Sequence, residues 1–338
     1  MKTIMTIMFI ILLSSIARGE ALENIEQSTL INDVLVHGNY SYCSTNKGLE
    51  IFAVSNPSNP VLAGVVHLQE MGQGMAIYGT YIYVADQLSG LQIINIADPA
   101  NPVLTGTFDT TGFAWDVFID GIYAYVADGF YGLQIINISD PEKPILEGSF
   151  PGSAYDVFVS DGKAFIITSE PSMQIVDITN PVAPKMLGSY KSLLNPENVI
   201  IDGNFAYIAD YSKGLLILNI ANPLEPMLEG SFGKSEHALN VSILGGYAFL
   251  ADDSFGIQLI NISNPSKPSI TACYNIIGGA RAICVADDYV YCAGWNSSLN
   301  IMPVRSTTPK IWKDCDMQNN NENNTASESR AEIERADF

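Results

Sequence analysis

The stretch Gly132-Leu133-Gln134-Ile135-Ile136-Asn137-Ile138-Ser139-Asp140-Pro141-Glu142-Lys143-Pro144 decides the fold of this chain. A glycine turn leads into a short apolar strand, and an Asx-Pro pair followed by a second proline ends it. The opening pair recurs as Gly48-Leu49, Gly90-Leu91, Gly132-Leu133, Ser172-Met173, Gly214-Leu215, Gly256-Ile257 and Ser298-Leu299, at intervals of 42 residues with a single interval of 40. A period this regular marks a repeat architecture. The first six copies close on Asn56-Pro57, Asp98-Pro99, Asp140-Pro141, Asn180-Pro181, Asn222-Pro223 and Asn264-Pro265, each followed three residues later by another proline, from Pro60 to Pro268.

Four strand-like runs recur in each copy. In the third they are Asp116–Ile119, Tyr123–Ala127, Leu133–Ile138 and Ile145–Phe150, rich in Val, Ile, Tyr and Phe and separated by Gly, Asp, Asn and Pro. Helical solenoids of similar period are excluded, because the prolines and glycines of each copy would break every helix. Both alternating faces of the second and third runs are apolar, as expected of a sheet sandwiched between two neighbours. Four short antiparallel strands per period make a propeller blade, so the sequence predicts an all-β, seven-bladed β-propeller.

Closure of the ring needs a fourth strand for the seventh blade, whose Asx-Pro turn is replaced by Ser306-Thr307-Thr308-Pro309. Two segments are candidates, Lys310–Asp314 and Leu22–Gln27, and the N-terminal one is slightly favoured because it immediately precedes blade one. Cys43 and Cys292 hold matching positions on the second strands of blades one and seven. A disulfide across that seam is one reading. Two small buried residues is the favoured one, since second strands of adjacent blades usually stand too far apart.

The 338 residues carry 36 acidic against 16 basic side chains, a formal net charge of −20. Such a surface repels phosphate backbones and acidic leaflets, which argues against nucleic acid and anionic membranes as partners. Residues 1–19 read as a secretory signal peptide: Lys2, an apolar run from Ile4 to Ile16, then Ala17-Arg18-Gly19. The run is too short for the ~20 residues that span a bilayer. The expected domains are therefore the signal peptide at 1–19, the propeller at 20–315 and a disordered polar tail at 316–338. Five cysteines, odd in number and without zinc-ligand spacing, suggest neither a disulfide scaffold nor a thiolate metal site.

The repeat resembles the LVIVD repeat of secreted and surface β-propeller proteins over roughly residues 31–304. The resemblance rests on Met173-Gln174-Ile175-Val176-Asp177-Ile178, on Tyr-x-Tyr-Val-Ala-Asp at 81–86 and 123–128, and on the double-proline turn. The family's strand-ending Asp survives here only as Asp177, with Asn at 95, 137, 219 and 261, Ala53 in copy one and Pro303 in copy seven. The resemblance implies a surface or interaction module and no defined reaction.

Strand direction places the start of strand one, the end of strand two and the connection from strand four to the next strand one (the 4–1 connection) on one face of the disc. Asp33, Gly74, Asp116, Asp156, Asn198, Asn240 and Ala282 should ring the channel mouth there, with Asp86, Asp128, Asp210 and Asp252 at the ends of second strands. Repeated Asp and Asn residues are more simply read as bonding strand ends and turns. Residues that vary between copies are better site candidates, so the expected ligand-binding set is Trp115, Asp116, Tyr155, Asp156, Glu197, His237 and Arg281. No Gly-x-Ser-x-Gly turn, His-Glu-x-x-His or phosphate loop is present. The expectation is an exported, non-enzymatic scaffold that binds a protein or carbohydrate of the cell envelope and needs no cofactor. The alternative is a polysaccharide hydrolase or lyase using Asp116 and Asp156 as its carboxylate pair. Calcium at the acidic mouth is a weaker third candidate.

Overall fold

The computed structural model describes residues 23–26, 30–170, 172–233, 237–276, 278–295 and 298–304. The expected signal peptide, the candidate strand at 310–314 and the polar tail lie outside these residues.

Every blade is a four-stranded antiparallel sheet, and there are seven. In blade three the strands are Asp116–Asp120, Tyr123–Ala127, Leu133–Asn137 and Ile145–Phe150, close to the bounds read from the sequence. First strands of successive blades touch one another around a closed ring, from Ile31–His37 of blade one to Ala280–Ala286 of blade seven and back. The seventh blade takes its outer strand from the N-terminal segment: Glu23–Glu26 pairs antiparallel with Ser298–Ile301. The ring is thus latched by joining the start of the chain to its last repeat.

The core is divided into seven apolar clusters, one at each blade junction. Between blades three and four, Tyr125, Leu133 and Ile135 face Val157, Ile166 and Val176. That is why second and third strands are apolar on both sides: each face is half of a different junction. Complete burial of each such side chain stabilises by roughly 1.5–3 kcal/mol. Cys43 and Cys292 are free, fully buried thiols in different junctions. Burial pushes their thiols up, that of Cys43 to about 12, as suits packing residues rather than reactive ones.

On the face away from the 4–1 connections, each Asx-Pro turn of blades two to six docks on the preceding blade. The outer strands of blades one to five carry Gly64, Gly106, Gly148, Gly188 and Gly230, each just after a β-bulge. A Cβ on Gly106 would lie 2.0 Å from the carbonyl oxygen of Pro141, and one on Gly148 would lie 2.1 Å from that of Pro181. Gly64, Gly188 and Gly230 meet Pro99, Pro223 and Pro265 in the same way. Blade six breaks the series with Ala272, and the copy that follows it is the one without an Asx-Pro turn.

The strand-ending Asp of the repeat is equally local. Asn95, Asn137, Asp177, Asn219 and Asn261 each accept the backbone N–H two residues on. Asn satisfies this Asx turn as well as Asp does. At two positions it does more, because Asn137 and Asn219 donate to Glu147 and Glu229 on the outer strand. Asp177 lies instead near Lys163 and Lys185.

Candidate functional site

The other face is built differently. At the start of the first strand the ring residues hand hydrogen bonds from blade to blade. Asp33 Oδ2 accepts from Met75 N at 3.1 Å, Asp116 Oδ2 from Val157 N at 3.0 Å, and Asp156 Oδ2 from Val199 N at 2.8 Å. Asn198 Oδ1 accepts from Val241 N, and Asn240 Oδ1 from Ile283 N. Two ring positions, Gly74 and Ala282, have no side-chain acceptor for the next blade. There the next blade's own Asp fills in: Asp33 takes Val34 N–H and Asp116 takes Val117 N–H, each as a second bond. Asp33 takes its two N–H groups on different oxygens, an arrangement in which Asn would turn its NH2 donor towards one of them.

These carboxyls hold their protons unusually well. Burial, with the nearby charge of Asp116, pushes Asp33 up to about 7. Burial pushes Asp116 up to about 6. Asp156 goes well above the ordinary carboxylate range through burial and the charge of Asp116 beside it. Asp156 also accepts from Asn198 Nδ2 at 3.0 Å.

Asp86, Asp128, Asp210 and Asp252, at the ends of second strands, are completely buried. Asp210 accepts from the backbone of Leu194, Asn195 and Ser212, and Asp128 from the hydroxyl of Thr110 at 2.6 Å. Asp86, Asp128 and Asp210 tie down 4–1 connections, whereas Asp252 accepts from Ser254, Phe255 and Gln258 of its own blade.

The varying residue before each ring position has a structural reason to vary. In blades one, five, six and seven it is the extra residue of a bulge: Asn32, Glu197, Leu239 and Arg281 fall between paired neighbours. A bulged residue is released from the ladder and its side chain is re-aimed. In blades three and four the same position carries Trp115 and Tyr155.

Trp115 and Tyr155 come together, with ring centroids 5.8 Å apart. Phe113 stacks on Trp115 at 4.8 Å, and Phe130 meets Tyr155 edge-on at 6.2 Å. Four aromatic rings therefore run across blades three and four. Phe130 and its neighbour Tyr131 are 78% and 57% exposed. They sit on the turn from strand two to strand three, between Gly129 and Gly132, whose φ of 56° and 78° only glycine adopts freely. That turn is tied by Tyr131 N to Asp128 O, Gly132 N to Gly129 O, and a two-way bridge between Gly129 and Ala154. The exposed rings are thus presented on a fixed backbone.

The remaining expected residues belong to other junctions on this face. The His237 ring packs edge-on to Tyr211 at 4.7 Å, and its Nδ1 lies 2.7 Å from Ser254 Oγ. Arg281 lies over the Trp295 ring, 4.4 Å from its centroid. Glu197 is exposed on blade five. Phe113, Phe130, Tyr131 and Trp295 were missed by reading the ring positions alone. Phe-Tyr in a turn flanked by glycines, where polar residues are usual, was the available signal. Among the described residues no group of three or more His, Cys, Asp or Glu side chains is arranged to hold a metal ion.

A closed ring of seven blades with one repeated face and one divergent face defines a propeller repeat protein. The LVIVD repeat matches residues 31–67, 71–110, 111–150, 151–192, 195–233, 236–276 and 277–304, and the chain belongs to that family. No curated protein matches it. Among solved structures, the β-propeller domain of Cps50 (Swd1) from Myceliophteria thermophila is similar with a TM-score of 0.71 at 12% identity, over 85% of this chain and 99% of that one. A computationally designed protein, Ika8, is similar with a TM-score of 0.62 at 8% identity, over 81% and 83% of the two chains. At such identities the likeness is one of fold alone.

Proposed function

We propose that this chain is an exported, non-enzymatic binding scaffold that engages its partner through the 4–1 face. The observation that carries this reading is the aromatic run of Phe113, Trp115, Tyr155 and Phe130, which ends in rings open to solvent on a fixed turn. Large exposed aromatics that a blade does not need for packing are the residues that anchor interfaces. Glu197, His237 and Arg281 lie on the same face and extend the contact surface around the ring. Asp116 and Asp156 support it from beneath, since each is engaged by backbone N–H groups of the following blade. That engagement also favours binding over hydrolysis, because neither carboxyl stands free beside an open cleft. Export is supported by the segment at residues 1–19 and by Cys273, which is disulfide-bonded, a state that persists in oxidising compartments. The partner is a protein or carbohydrate of the cell envelope.

The test is a titration of the purified chain against solubilised envelope fractions, beside Trp115→Ala and Tyr155→Ala variants. Saturable binding that weakens by about tenfold or more in the variants is expected, with folding intact. Binding unchanged in both variants would remove the 4–1 face from the interaction. Turnover of a polysaccharide that is lost in Asp116→Asn would instead favour an enzyme.

A further inference from the structure

We propose that the cleft between the turn of blade three and the turn of blade four is a subsite for a single sugar ring of a glycan. The proposal rests on the binding reading above and names the ligand class for one part of that face. The cleft has a volume of about 290 Å³, near the lower end of the ~300–1,000 Å³ of small-molecule pockets, which suits one ring rather than an extended ligand. Its two sides differ. One is the Phe130 ring, 78% exposed and in edge-on contact with Tyr155. The other is polar: Ser153, Ser169, Glu170 and Gln174 line it above the buried Thr168.

Gln174 is the residue that sets this blade apart. In blades two and three the equivalent Gln92 and Gln134 spend their amide Nε2 on Ser89 O and Tyr131 O of their own turns. In blade six, Gln258 donates to Asp252. Gln174 makes no side-chain hydrogen bond to the described residues and lines the cleft with both an amide donor and a carbonyl acceptor available. Ser153 and Ser169 bond each other at 2.8 Å, and Ser169 N donates to Ser153 Oγ, so the hydroxyls are held in place with acceptor capacity remaining.

An aromatic ring in one cleft with groups that both donate and accept matches a pyranose, which has a C–H face and a rim of hydroxyls. A lysine or arginine side chain would call for acceptors alone, and the cleft offers one carboxylate, that of the exposed Glu170. A purely apolar ligand would leave Gln174 and the serines without partners.

The experiment is saturation-transfer NMR and calorimetry of the full chain with a panel of cello-, chito-, manno- and xylo-oligosaccharides. A lysine- and arginine-rich peptide is the competing probe. The expected result is saturable binding of at least one oligosaccharide, weakened by about tenfold or more in Phe130→Ala and in Gln174→Ala, and retained in Phe130→Trp. Phe130 is exposed, so its replacement leaves the ring folded, and circular dichroism checks that. No binding across the panel, binding indifferent to Phe130→Ala, or peptide binding that alone depends on Phe130 would each overturn the proposal. If sugars fail while envelope binding still depends on Trp115, the sugar subsite falls and the scaffold reading stands.

Discussion

The two faces of the disc solve different problems with the same repeat. The Asx-Pro face repeats one device at five successive junctions, a glycine on one blade receiving the proline turn of the next. The 4–1 face repeats only its anchors, the ring residues and the buried Asp of second strands, and lets the residue before each ring position change, a bulged residue in four of the blades. Copy-to-copy constancy marks the face that holds blades together, and variation at a position freed from the ladder marks the face available for recognition.

The sharpest way to break that contrast is to enlarge a clamp glycine. Gly148→Val forces side-chain atoms into the carbonyl of Pro181, backbone that cannot step aside without moving the turn of blade four. Overpacking of this kind costs about 1–3 kcal/mol and occasionally more, so the largest loss of thermal stability is expected here. The control is Ala272→Gly in blade six, where no Asx-Pro turn follows; its cost is only the ~0.5–1 kcal/mol of a glycine in a strand. Equal effects of the two substitutions on the melting temperature would show that the turn, and not the strand, is irrelevant.

The ring of carboxyls gives a second distinction, in pH. An unfolded aspartate releases its proton near pH ~3.9, whereas folded Asp33 and Asp116 hold theirs to about 7 and about 6 and Asp156 to well above the usual range. The folded state binds more protons between these limits. Stability from this source is therefore complete below pH ~4 and is lost as pH rises towards ~7, on the order of a few kcal/mol in all. The opposite face titrates the other way: hydrogen bonds from Asn101 and Thr179 hold Asp98 and Asp177 below the usual value, but both are exposed and solvent weakens their effect. Melting scans across that range should show the decline, and Asp33→Asn should flatten it while costing ~1 kcal/mol for the lost second acceptor. A flat wild-type profile would mean the ring carboxyls ionise freely.

Binding substitutions come next and should separate function from fold. Trp115→Ala removes a half-buried ring stacked on Phe113, a loss of ~0.5–1.5 kcal/mol beyond its buried area, far less damaging than a clamp glycine. Its main effect should appear in partner affinity, read by titration against the envelope fraction.

Much of this architecture was legible in the chain. The interval from Gly48 to Ser298 fixed blade number and strand order, because a period-two apolar pattern on both faces has few other homes. The N-terminal latch could be narrowed to two segments with only a slight preference for the right one, since either supplies a short strand and only pairing with Ser298–Ile301 decides. Trp115 and Tyr155 were found because they interrupt a series. Their contacts Phe113 and Phe130 were not, because ring-to-ring distance across two loops depends on loop conformation that spacing does not encode. The clamp glycines recur plainly at Gly64 to Gly230, yet their meaning needs the proline carbonyl of the next blade to be placed against them.

The smallest effect tests how far constancy on the Asx-Pro face is local. Asn137→Asp keeps the oxygen that accepts Ser139 N, so the turn itself should survive. It removes the donor to Glu147, 3.2 Å away, and places like charges across the strand pair. The expected cost is roughly 0.2–1 kcal/mol, relieved by added salt. The converse Asp177→Asn faces Lys163 and Lys185 rather than a glutamate, and surface charge pairs of that kind contribute little, so near-neutrality is expected. Equal and salt-independent losses from both would mean that the repeat's strand-ending residue is set by something beyond its turn and its single cross-strand neighbour.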